Sequence, residues 1–128
     1  MTEPIFLLDS SICSYLLTGR FEIARNRLQQ HSPGEVVTSV IVAAEVISGI
    51  DRLDNAAVEV ARKFFRLIPV LPFDVNAAMA YADVPFRRGR LDRLVAAHAL
   101  ALNLTIVTAN EADFADVPGL RVENWTQA

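Results

Sequence analysis

Four acidic side chains stand where acids are costly, and together they outline a chemistry. Asp9 ends the apolar run Ile5-Phe6-Leu7-Leu8 and is the only charge between Pro4 and Gly19. A lone charge in such a setting is penalised by desolvation unless something pairs with it. Glu45 is the only charge in Thr38–Ile50, and its helical neighbours are Ile41, Val42, Ser48 and Gly49 rather than polar residues. Asp92 opens the run to Leu100, and Asp113 follows Thr105-Ile106-Val107-Thr108. Each has a plain structural reading. Asp9 is a good helix N-cap, Glu45 fits as a surface residue on a largely buried helix, and Asp92 and Asp113 complement helix N-termini. If instead the four converge, they repel and raise one another's pKa until a cation neutralises them. Oxygen donors with no Cys or His cluster favour Mg²⁺ or Mn²⁺ over Zn²⁺. A divalent cation held this way suits phosphodiester hydrolysis. No Gly-rich phosphate loop or Ser-His-Asp set competes. His98 lies six residues past Asp92, about 120° around a helix, and His31 sits in a turn; both are expected outside the chemistry.

Positioning these acids requires strand ends and helix starts at one edge. Ile5–Leu8 reads as a strand buried on both faces, which belongs in a parallel sheet, and groups just beyond the carboxyl ends of such strands are where sites gather. Helices are expected at Ser11–Leu17, closed by Thr18-Gly19, and at Glu22–Gln30. Val36–Ser39 is a strand and Val40–Ile50 a helix stopping at Gly49. Asn55 caps a helix through Arg66 with Val58, Ala61, Phe65 and Ile68 on one stripe. Val70-Leu71 is a weak strand, and Asp74 opens a helix toward Arg88 that Pro85 ends or kinks. A helix from Arg90 or Leu91 to Leu102, a strand at Leu104–Thr108, a helical turn at Asn110–Phe114 and a short strand at Leu120–Glu123 complete the chain. This alternation predicts an α/β fold with a parallel sheet flanked by helices.

The 128 residues suffice for one domain with a sizeable core, and 52% apolar with 21% charged residues excludes disorder. Cys13 is the only cysteine, which rules out an internal disulfide and fits a reducing cytoplasm. The start Met-Thr-Glu-Pro lacks a basic region, its apolar run is too short for a signal peptide, and no stretch is long enough to span a membrane. Net charge is −3, which argues against a nucleic-acid coat protein, yet eleven of the twelve basic residues are Arg. That bias suits bidentate contact with phosphate or an acidic partner, and equally a GC-rich genome.

The order I5-F-L-L-D-S-S, T38-S-V-I-V-A-A-E-V, L91-D-R-L-V-A-A-H-A-L, I106-V-T-A-N-E-A-D-F and V117-P-G-L-R-V-E-N-W resembles a PIN domain over essentially the whole chain, and more narrowly a VapC toxin of a type II toxin–antitoxin pair. The resemblance implies a single PIN domain over 1–128, three layers with a central parallel sheet of about five strands. It also implies a Mg²⁺- or Mn²⁺-dependent endoribonuclease, homodimeric, inhibited by a cognate VapB-like antitoxin. A catalytically weak or inactive PIN-domain binding partner is the alternative. The family's acidic positions fall on Asp9, Glu45, Asp92 and Asp113, with supporting groups at Ser10, Thr108 and Asn110. Many relatives carry Asp where this chain has Asn110, which leaves the fourth acid between Asn110 and Asp113. The segment before Asp92 is shorter than in many relatives, and Arg87, Arg88, Arg90 and Arg93 lie in it or just after it. These are candidates for contact with RNA or antitoxin, or simply a solvated helix end. A phosphoacceptor receiver domain is disfavoured, since it needs a strand-end Lys and Lys63 falls within a helix.

Overall fold

A computed structural model of the chain describes residues 2–127; Met1 and Ala128, the ends of the expected span, lie outside the described residues. In chain order the elements are β1 (Phe6–Leu8), α1 (Ser10–Thr18), α2 (Glu22–Gln29), β2 (Val36–Ser39), α3 (Val40–Ser48), α4 (Asn55–Leu67), β3 (Val70–Leu71), α5 (Val75–Ala80), α6 (Asp92–Leu102), β4 (Thr105–Val107) and β5 (Val122–Glu123). Single 3₁₀ turns at Tyr81–Asp83 and Glu111–Asp113 follow α5 and β4. The β-branched and apolar runs become β1, β2 and β4, each buried along its length, while β3 and β5 are half-buried edges.

All pairings are parallel, in the order β3-β2-β1-β4-β5. The chain therefore builds outward from β1 through β2 to β3, then crosses back to β4 and β5. Right-handed crossovers put α1 to α4 on one face of the sheet and α5 with α6 on the other. The packing agrees, with α1 against α2, α3 and α4, and α5 against α6. Because connections leave β1 and β4 in opposite directions, their carboxyl ends flank a crevice. Register brings those ends level: Leu8 pairs with Thr38 and Val107, so Asp9 and Thr108 emerge side by side.

Both layers bury one continuous core. Leu7, Leu8, Ile12, Val37, Val42, Val95, Ile106, Val107, Phe114 and Trp125 are fully enclosed. Trp125 meets Phe6 edge-on at 5.3 Å and stacks on His31 at 5.5 Å, so the turn histidine closes the sheet's amino end. Cys13 is buried, and burial pushes its thiol well up, leaving it inert. No helix among the described residues is long and apolar enough to cross a membrane.

Several boundaries differ from the sequence reading for physical reasons. Asp54, not Asn55, caps α4, its Oδ1 accepting from the Ala57 N–H at 3.1 Å. The helix opened by Asp74 stops at Ala80 and tightens into a 3₁₀ turn, well short of Arg88. Val84, preceding Pro85, is forced into extended backbone (φ −99°, ψ 125°), so no helix can carry through it. Of Leu104–Thr108 only the central three residues, Thr105–Val107, are strand, and of Leu120–Glu123 only the last two, Val122–Glu123.

Candidate active site

Asp9 follows β1 directly and does two jobs. Its Oδ1 caps α1, accepting from the Ile12 N–H at 3.2 Å and the Ser11 hydroxyl at 2.7 Å, while its Oδ2 accepts from the Thr108 hydroxyl at 2.5 Å. The residue therefore caps α1 and also stands in the wall of the cleft, so the cap does not exclude a place in the site. Its backbone N–H donates to Val107 O at 2.9 Å, which fixes the base of the residue against β4. Burial pushes the Asp9 carboxyl above its ordinary range, against the pull of the Thr108 and Ser11 hydroxyls and the Ile12 and Ser11 N–H groups.

Glu45 projects from α3 half-buried, and its carboxyl is also pushed up, first by burial and then by the charges of Asp9 and Asp92. Asp9 and Asp92 are thus close enough to Glu45 for their charges to be felt there. Asp92 opens α6, and Asp113 ends the 3₁₀ turn after β4. All four line a single cleft of about 290 Å³ with Ser10, Ser11, Arg90 and Asn110. The fold brings together every acid that the sequence singled out. The crevice is the one that strand order demands between β1 and β4.

The neighbouring groups sort differently from the sequence reading. Ser10 lines the cleft, but the hydroxyl bonded to Asp9 belongs to Ser11, which also accepts from the Ala109 N–H at 3.2 Å and so staples β1 to the loop after β4. The signal for it was the second serine of Asp-Ser-Ser, two residues on from the acid, where a side chain can fold back onto it. Thr108 donates to Asp9 and accepts from the Asn110 N–H at 3.0 Å, and Asn110 itself is exposed.

The arginines divide. Arg87, Arg88 and Arg90 are exposed, whereas Arg93 is fully buried, which corrects its placement among surface contacts. It lies in the first turn of α6 and points into the protein. Arg93 Nη1 holds both Asp116 oxygens at 3.1 Å and Nη2 donates to Asp113 O, which ties α6 to the turn carrying Asp113. Arg87 joins Asp116 at 3.3 Å. Arg90 reaches Asp92 and Asp113, each at 3.0 Å.

Neither histidine lines the cleft. His98 Nδ1 lies 2.8 Å from Ser39 Oγ, tying α6 to the end of β2, and burial lowers its pKa. A larger groove of about 560 Å³ lies between α3 and α4, lined by Ile47, Ile50, Val58 and Phe65 with Arg52, Arg62 and Arg66 at its rim. It holds no acid and lies apart from the strand ends, so size alone misidentifies the chemistry.

The cleft's carboxylates offer oxygen donors, and at Glu45 the charges of Asp9 and Asp92 add to burial in raising the carboxyl, a repulsion that a hard cation relieves. This donor set fits Mg²⁺ or Mn²⁺.

Comparison with known proteins agrees with this geometry. The PIN-domain family model matches residues 6–120. The chain is 30% identical over 130 residues to a tRNA(fMet)-specific endonuclease VapC of Shigella flexneri, covering 94% of this chain and 98% of that protein. It is similar to a chain of VapBC2 from Rickettsia felis, solved bound to a DNA fragment from their promoter, with a TM-score of 0.85 and 26% identity over 94% of this chain and 98% of that one. It is equally similar to a chain of DNA-bound VapBC from Salmonella typhimurium, with a TM-score of 0.85 and 26% identity over 95% and 98%. With four carboxylates at the crevice and relatives matched end to end, the chain belongs to the PIN-domain family, among its VapC members.

Proposed function

We propose that this protein is a Mg²⁺- or Mn²⁺-dependent endoribonuclease, the toxin of a VapBC-type pair. The carrying observation is the convergence of Asp9, Glu45, Asp92 and Asp113 on one cleft at the ends of β1 and β4. Asp9, Glu45 and Asp92 would hold the cation, with Asp113 as the outer, water-mediated member; Asn110, a neutral side chain, supports rather than ligates. The ion supplies charge stabilisation at the phosphodiester and activation of the attacking water.

What the chain itself contributes is orientation. Thr108 and Ser11 hold one Asp9 oxygen each, so the carboxylate cannot rotate away from the cleft. The α1 amino end adds a favourable dipole to the charged form of Asp9. Arg87 and Arg88 are exposed and directly precede Gly89 and Arg90 of the cleft lining, and a phosphate backbone would approach from that side. The partner is a VapB-like antitoxin, as in the similar VapBC complexes, and the toxin works as a homodimer.

Purified protein incubated with total cellular RNA, with product ends mapped, tests this reading. Initiator tRNA is included because of the Shigella relative's stated specificity. Discrete cleavage that requires Mn²⁺ or Mg²⁺, stops with chelator and is absent from Asp9→Asn is expected. Binding to the antitoxin without any cleavage would replace this reading with that of a non-catalytic partner.

A further inference from the structure

Arg90 is placed unlike the other arginines of its segment. Gly89 before it has φ 73°, a conformation that suits glycine, and the chain turns there so that Arg90 folds back over the first turn of α6. Its Nε and Nη2 meet Asp92 Oδ1 and Oδ2 at 3.3 and 3.0 Å, and the same Nη2 meets Asp113 Oδ1 at 3.0 Å. One guanidinium thus joins two cleft carboxylates from separate elements, the start of α6 and the turn after β4. Arg87 and Arg93 are committed to Asp116 instead, and Arg88 forms no ion pair among the described residues. Among the described residues no three acidic, His or Cys side chains form a group that could hold a metal ion.

We propose that Arg90 is a built-in counter-cation that changes places with the divalent ion, which would sit on Asp92 directly and reach Asp113 through water. This rests on the metal-dependent reading above and adds how that site is regulated. The carboxylate lone pairs that face the guanidinium are those a hard cation needs, and two cations on the same oxygens repel. The fork geometry makes Arg90 a good occupant of a pair of acids. Yet its side chain is 41% exposed, so the contact is screened and readily exchanged. The apo cleft is thereby held together by the chain's own charge. The ion binds less tightly than the bare carboxylates would allow, and the protein loads only when free metal is high enough to displace Arg90.

The test is calorimetric titration of Mn²⁺ into the full chain and into Arg90→Ala, Arg90→Lys and Arg88→Ala, with thermal melts of each with and without saturating Mn²⁺. Arg90→Ala should bind Mn²⁺ about tenfold more tightly than wild type, with Arg90→Lys in between because an ammonium cannot fork onto both acids. Arg88→Ala should bind as wild type does. The Arg90→Ala apo protein should melt below wild type, and the gap should close or reverse on saturation. Equal or weaker binding by Arg90→Ala, or equal tightening by Arg88→Ala, overturns the exchange and leaves only a general field effect. If neither wild type nor any variant binds Mn²⁺, the metal-dependent reading itself fails. Wild-type binding with an unchanged Arg90→Ala removes the Arg90 proposal alone. Should Arg90→Ala fail to fold, the Arg90→Lys titration decides by itself.

Discussion

Asp9 and Asp113 face the same cleft, yet Asp9 is buried at the end of a central strand, whereas the Asp113 side chain is 37% exposed in a single 3₁₀ turn. Asp9 is fixed by two hydroxyls and a helix N-terminus, all placed by the sheet and α1. Asp113 is fixed by arginines: Arg93 on its carbonyl and Arg90 on its carboxylate. The sheet wall offers a preorganised, desolvated acid, and the loop wall offers solvated acids held by exchangeable ion pairs. Preorganised charge in a dry setting acts far more strongly than the same charge in water. The two walls should therefore contribute unequally to catalysis.

The largest expected effect is on the sheet wall. Asp9→Asn should lower the cleavage rate on the order of a thousandfold, about 4 kcal/mol in the barrier, with the fold intact. Initial rates at saturating Mn²⁺ and a circular dichroism melt check both halves. An Asp113→Asn variant as damaged as Asp9→Asn would abolish the distinction between the walls.

Next comes the support beneath the loop wall. Arg93→Ala removes a buried guanidinium, leaves Asp116 with only Arg87 and frees the carbonyl of Asp113. Unfolding in urea should show a loss of roughly 2–3 kcal/mol, below the usual figure for a broken buried pair because Asp116 still reaches water. A loss within about 0.5 kcal/mol, the range of an ordinary surface substitution, would mean that the turn carrying Asp113 is held by something else.

Smaller still is the direct effect of the outer acid. Asp113→Asn should slow cleavage about tenfold, roughly 1.4 kcal/mol, and Asn110→Asp in that background should recover part of it. Unchanged rates across a Mn²⁺ titration would reduce the site to three acids.

The gentlest signature is a slope. Because Asp9 and Glu45 hold their protons more firmly in the folded chain than in the unfolded one, the folded state binds more protons. Metal-free stability should fall as pH rises from the ordinary carboxylate range into the raised folded values, and Asp9→Asn should flatten the decline. Melts between pH 4 and pH 7, chosen test conditions, should show this without metal. A slope that Asp9→Asn leaves unchanged would mean that hydrogen bonding offsets burial at Asp9.

What the sequence determined by itself was whatever depends on neighbours along the chain. An apolar run ending in Asp is a buried strand ending at a crevice, since desolvation forbids that charge elsewhere in the run. Glu45 amid Ile41, Val42 and Val46 is anomalous by the same local logic, and the Asp92-to-His98 spacing kept His98 away from the cleft. Tertiary structure alone decided that Ser11, already within local reach of Asp9, also accepts from the Ala109 N–H of the loop after β4. It alone turned Arg93 inward and Arg90 onto the acids, although the two are three residues apart in one basic stretch. It also set the closeness of Asp113 to Asp92, which no local rule encodes. The segments 84–91 and 109–117 have little regular structure of their own, and ion pairs between residues some twenty positions apart fix where they stand.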